Sequence, residues 1–322
     1  MTEPGQPHRL QGDHPSAASP PEAPHTTEGV EAERAGAEWV DVEWIDDPDD
    51  RDDPDDDFPL DDGELSGDVL GDSDVGNVEF TYDATIAPSD DGVADVLRSG
   101  NIEVLGAMPW SSNGTFLVQV STGRDHLPAI YKPLRGERPL WDFPGGLWRR
   151  EVATSALSDH LGLGLVPPTV ARNDDAPLGT GSLQAFVPAH FAEHFFTIRD
   201  QPALLPTLRA LCAFDLVANS ADRKSGHCLI DDDDRIWAID NGLTFHCEFK
   251  VRTVIWDFAG EPVPDRVLTA LDRMLGAPLP AELEALLDPS ERDALRDRAG
   301  AVLSSGRFPH DPTGRRVPWP LV

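Results

Sequence analysis

The side chains with the most chemical potential in this chain are Lys132, Glu151, Asp222, Lys224 and Asp240, with an Asn113-Gly114 pair upstream of them. Lysine is scarce: 23 of the 26 basic residues are arginine, and only Lys132, Lys224 and Lys250 are lysine. In such a background a lysine marks a place where a compact ammonium does what a planar guanidinium cannot. Moving a γ-phosphoryl group from ATP takes few protein parts: a cover for the phosphates, a lysine on their oxygens, a carboxylate at the accepting hydroxyl, and a carboxylate-held divalent metal. The sequence supplies them in workable order. Asn113-Gly114 would form the cover, since glycine lets backbone approach closely. Lys132 would hold the α- and β-phosphates with Glu151 orienting its ammonium. Asp222 would take the hydroxyl proton, with Lys224 balancing charge on the moving group. Asp240, opening Asp240-Asn241-Gly242, would bind magnesium or manganese.

Such groups work only if rigid elements hold them. Apolar runs at 102–105 and 116–120 flank a loop with Asn113-Gly114 and predict a hairpin. Residues 129–133, ended by Pro133, predict a third strand with Lys132 near its exit. Helical spacing of Val152, Ala156 and Leu157 predicts a helix over 148–161, stopped by Gly162, with Glu151 in its first turn. Strands are expected at 166–170 and 182–187. A buried helix is expected over 204–219, then a polar loop at 220–227 holding Asp222 and Lys224. Short strands at 228–230 and 236–239 would lead into Asp240. Asp288-Pro289-Ser290-Glu291 reads as a capping box opening a helix to Ser304. The expectation is an α+β fold of two lobes, a strand-rich one over 94–188 and a helical one over 189–322, hinged near Pro188.

The residues Ala221-Asp222-Arg223, Cys228-Leu229-Ile230 and Ala238-Ile239-Asp240-Asn241-Gly242-Leu243 resemble the catalytic and metal-binding loops of the phosphatidylinositol 3-/4-kinase-like superfamily. Within it they are most similar to the type II phosphatidylinositol 4-kinase branch and related bacterial proteins. Tyr131-Lys132-Pro133 and Arg150-Glu151-Val152-Ala153 look like the upper-lobe lysine and glutamate elements. The resemblance spans 101–264 and implies a protein-kinase-like fold using ATP and a divalent metal. Where the family has a metal-binding asparagine, this chain has His227, a poor magnesium ligand but acceptable to manganese. Three readings stand: an altered metal preference, another role for His227, or a nucleotide-binding pseudokinase without transfer. The cysteine-rich anchoring insert of the eukaryotic lipid kinases has no counterpart, which favours a protein or small-molecule hydroxyl over a lipid as acceptor. Lys250 and Arg252 follow the metal loop, where an anionic acceptor could be met.

Charge is unevenly spread. Of the 58 acidic residues, 28 lie in the first 91 positions against three arginines, so that stretch holds 25 of the 32 excess negative charges. Residues 1–91 therefore read as a disordered acidic tail. It is either a solubilising tail or an interaction segment, with Trp39, Trp44 and Phe58 set among acids, that binds a basic partner or the chain's own cleft. The body has no basic excess for nucleic acid and no apolar run of spanning length. Without an export signal, and with three unpaired-looking cysteines, a cytoplasmic location is expected. One rival motif, His190-x-x-Glu193-His194, matches that of inverted zinc peptidases, in which two histidines one helical turn apart hold zinc.

Overall fold

The computed structural model describes residues 82–322 apart from 109, 110, 112 and 175, so the expected tail lies outside the described residues up to position 81. A short helix, α1 (Val93–Ser99), precedes strands β1 (Asn101–Ala107), β2 (Phe116–Ser121) and β3 (His126–Pro133). Helix α2 (Leu147–Leu161) comes next, then β4 (Thr169–Arg172) and β5 (Gly181–Ala185). The five strands form one antiparallel sheet in the order β1-β2-β3-β5-β4. Downstream lie α3 (Phe195–Ile198), α4 (Leu205–Ala218), a two-stranded ribbon of β6 (Cys228–Ile230) and β7 (Ile236–Ala238), then α5 (Asp265–Leu275), α6 (Ala281–Leu286) and α7 (Pro289–Ser305). The expected α+β fold, strands first and helices after, is what the chain adopts.

Local chemistry accounts for the boundaries. α2 ends at Gly162, whose φ of 67° is a left-handed cap, and its N–H bonds the Asp159 carbonyl. At the start of α7 Pro289 follows Asp288, and the Glu291 carboxylate accepts the Asp288 N–H at 2.9 Å. The strand expected at 166–170 begins only at Thr169, because Pro167 and Pro168 have no N–H to donate to a ladder. α1 was not foreseen. Val93, Val96 and Leu97 bury against the sheet, and just before it the Thr85 N–H donates to the His126 carbonyl while the Thr85 hydroxyl accepts the His126 N–H.

β1 and β2 form the expected hairpin, and the connection between them, 108–115, holds Asn113-Gly114. Its Gly114 N–H donates to the Gly136 carbonyl at 2.8 Å, and a Cβ on Gly136 would lie 2.9 Å from the Gly114 Cα. The two glycines let this loop rest backbone to backbone on the turn that follows β3.

The two largest groups of buried apolar side chains lie beneath the sheet around Val118, Leu127 and Leu183 and among the helices around Leu211, Phe214 and Leu271. α2 serves both. Ala153, Leu157 and Leu161 enter the helical cluster while the same helix packs on β4 and β5.

Candidate active site

β3 carries side chains alternately to its two faces. Tyr131 is fully buried beneath the sheet, so Lys132 points the other way, into a cleft of about 830 Å³ between the sheet and the β6–β7 ribbon. There the Lys132 Nζ pairs with the Glu151 carboxylate from α2 and reaches Asp240 Oδ1 at 2.8 Å. The remaining Glu151 oxygen accepts the Asn241 N–H at 3.1 Å. Glu151 is thus tied to the sheet through Lys132 and to the Asp240 loop through backbone. A strand-borne lysine paired with a glutamate of the following helix is how protein kinases hold their phosphate-binding lysine.

The electrostatics follow. Burial works against the Lys132 charge, but Asp240 and Glu151 outweigh it and hold the ammonium pKa above the usual lysine range. Lys132, helped by His227 and Lys224, holds the Asp240 carboxyl well below the usual range despite desolvation. Asp240 itself takes a φ of 55°, a left-handed conformation that an aspartate tolerates better than most residues.

Asp222, Lys224 and His227 line the same cleft. Lys224 Nζ stands 3.3 Å from Asp222 Oδ2. Burial raises the Asp222 pKa, and Lys224 opposes that rise. His227 is buried enough that its pKa is pushed down to about 4, so the ring is neutral at pH 7. Its Nδ1 lies 2.9 Å from the Asp222 carbonyl, which only a protonated Nδ1 can satisfy. The Lys224 N–H also approaches Nδ1, at 3.4 Å, but the shorter contact to the carbonyl favours the proton on Nδ1 and a lone pair on Nε2. That nitrogen faces Asp240 Oδ2 at 3.4 Å. Two lone-pair donors converging this way suit a divalent cation between them. Among the described residues no cluster of three or more His, Cys, Asp or Glu could hold a metal, so such a cation would need further oxygens from a ligand. Asn113 and Gly114 line the cleft too, and the Asn113 Oδ1 accepts the Arg138 N–H at 3.0 Å.

No protein-family model matches the chain. Protein Rv2133c of Mycobacterium tuberculosis is 37% identical over 262 residues, covering 70% of this chain and 94% of that protein. The chain belongs to the family of Protein Rv2133c. Among solved structures it is similar to hydra Fam20 with sugar, at a TM-score of 0.44 and 14% identity over 65% of this chain and 86% of that one. The Golgi casein kinase gives 0.41 and 16% over 67% and 76%.

In this member of the Rv2133c family, several residues that complete the cleft were not evident in the sequence. Arg223 is 1% exposed and grips the fully buried Asp215 of α4 through Nε and Nη2 at 3.0 to 3.2 Å. It also donates to the Ile239 carbonyl at 2.8 Å and to Asn241 Oδ1 at 2.7 Å, joining the Asp222 loop to the Asp240 loop. In the sequence Asp215 showed only as a charge interrupting an apolar run. Apolar walls come from Ile130, Val187, Leu229 and Ile239, and Pro320 and Val322 edge the cleft beside Ser225, whose N–H bonds the Leu321 carbonyl.

The rival zinc motif is overturned by local geometry. The His190 N–H donates to the Ile230 carbonyl beside the Ala189–Asp231 bridge, His194 is the extended N-cap of α3, and Glu193 accepts the Thr197 hydroxyl. The histidines do not share a helical face, as a zinc site of that pattern requires.

Proposed function

We propose that this protein is an ATP-dependent phosphotransferase of the phosphatidylinositol 3-/4-kinase-like type, with residues 94–188 and 189–322 as its two lobes. The observation that carries the proposal is Lys132 clasped between Glu151 and Asp240 at the floor of one cleft. ATP and its divalent metal, when bound, supply the transferable phosphoryl group and the positive charge that activates it. Lys132 contacts the α- and β-phosphate oxygens, and Glu151 keeps its ammonium in place. Asp240 and His227 offer an oxygen and a nitrogen to the metal, a donor pair better suited to manganese than to magnesium. The apolar walls at Ile130, Val187, Leu229 and Ile239 exclude water around the base. Asp222 accepts the acceptor hydroxyl's proton, which its raised basicity favours, and Lys224 neutralises charge beside it. The acceptor is a hydroxyl of a protein or small molecule rather than of a lipid.

A second reading, nucleotide binding without transfer, draws on His227 standing where kinases of this kind carry asparagine. Purified protein assayed for ATP binding and turnover, with magnesium and separately with manganese, decides between them. Turnover is expected, greater with manganese. Asp240→Ala should abolish metal-dependent nucleotide binding, and Asp222→Ala should keep binding but lose about 10²- to 10⁴-fold in rate. Binding without turnover in any metal selects the second reading; no binding in either metal overturns both.

A further inference from the structure

Between β3 and α2 the chain makes a 13-residue excursion, 134–146, that no core residue requires except Phe143. Three of the large apolar side chains exposed on the described surface belong to it: Leu134 at 45%, Leu140 at 39% and Trp141 at 83%. Arg135 and Arg138 stand among them, and Arg149 lies exposed in the first turn of α2. Among the described residues none of these three guanidinium groups takes part in an ion pair. Exposed apolar groups interleaved with cations free of ion pairs, one of them, Arg149, lying over the Trp148 ring, suit an acidic, aromatic-bearing ligand. Arg138 and Leu140 also line the rim of the cleft, so whatever covers this surface stands at its mouth.

The chain itself contains a segment of that composition. Residues 41–62 hold thirteen carboxylates and one arginine, with Trp44 and Phe58 among them and Trp39 just before. The polypeptide that carries them joins the described body at Tyr82, whose ring lies 6.2 Å from Phe186, another residue of the same cleft. The 19 residues from 63 to 81 can span at most about 65 Å when fully extended, ample to reach the far rim of a cleft this size. Tethering also raises the local concentration of the segment far above that of any free acidic partner.

We propose that residues 41–62 dock in cis on the surface formed by Leu134, Arg135, Arg138, Leu140, Trp141 and Arg149. Carboxylates meet the arginines, and Trp44 and Phe58 cover the exposed leucines and Trp141. The proposal needs nothing from the reaction assigned to the cleft, only its position.

Small-angle scattering of the intact chain tests it through the sign of a salt effect. A polyanionic tail free in solution contracts as added salt screens its self-repulsion, whereas a docked one is released and the molecule expands. Between about 50 mM and about 500 mM salt the radius of gyration should rise by roughly a tenth or more. The triple variant Arg135→Glu, Arg138→Glu, Arg149→Glu should already have the expanded radius at low salt, with an unchanged circular dichroism spectrum because all three side chains are exposed. Contraction or no change with salt overturns the proposal. So does expansion that survives the triple variant unaltered, which would put the tail elsewhere. Low-salt forward scattering per unit concentration that rises with protein concentration would mean the tail docks on a second copy, which also overturns docking in cis.

Discussion

Lys132 neutralises two acids at once, and only one of them can fall back on water. Asp240 is half exposed, but the Glu151 side chain is 4% exposed and has lost its hydration. Removing the cation while leaving that carboxylate buried is costly, whereas removing both charges is much less so. Lys132→Met should therefore lower the unfolding free energy by about 3–5 kcal/mol, read from the denaturant midpoint. Adding Glu151→Leu to it should recover part of that loss, since only the bond from the Asn241 N–H to Glu151 then goes unmade. A double variant no more stable than the single one would mean Lys132 acts through packing rather than charge. Lys132→Arg should also fail to replace the wild type in nucleotide binding, because a planar fork cannot sit as a point charge between two carboxylates and a phosphate.

At the scale of elements, the two loops that bring Asp222 and Asp240 together are held by Arg223, whose anchor is Asp215 in the last turn of α4. Breaking a buried pair of this kind leaves one charge stranded, so Asp215→Ala should cost about 3–5 kcal/mol in thermal or denaturant melts. Arg223→Lys should do nearly as much, since an ammonium cannot reach Asp215, Ile239 and Asn241 together. Gly136 sets another contact between elements: Gly136→Val should displace the 108–115 loop, because its side chain would collide with Gly114, and nucleotide affinity should fall while the core stays intact. These contacts also explain what could be seen in advance. The strand bearing Lys132, the helix bearing Glu151 and the ribbon leading to Asp240 were legible because alternation, helical spacing and glycine or proline stops are local signals. The Arg223–Asp215 pair was not, because its partners lie on separate elements and nothing in the spacing of eight residues says that both are buried. α1 is not legible in the sequence because four apolar residues in seven, directly after an acidic stretch, do not outweigh the composition around them. Pro320 and Val322 reach the cleft only through the tertiary path of the last segment.

For the whole described body the decisive feature is that α2, whose apolar side chains enter the helical cluster, also packs on β4 and β5 of the sheet. The sheet and the helices should then unfold in one transition despite their separate cores. Leu183→Ala beneath the sheet and Leu211→Ala in α4 should each cost about 2–5 kcal/mol and shift the same melting curve. A two-step curve, with each substitution moving a different step, would show the halves to be independent. The bond from the Asn241 N–H to Glu151 spans the same divide, and it carries a consequence for time rather than for energy. This amide can trade its hydrogen for deuterium only when the β7 end swings away from α2, so its uptake rate is a clock for the opening of the cleft. An amide such as Leu211 in α4, deep in the helical core, should exchange only on the far slower schedule of complete unfolding.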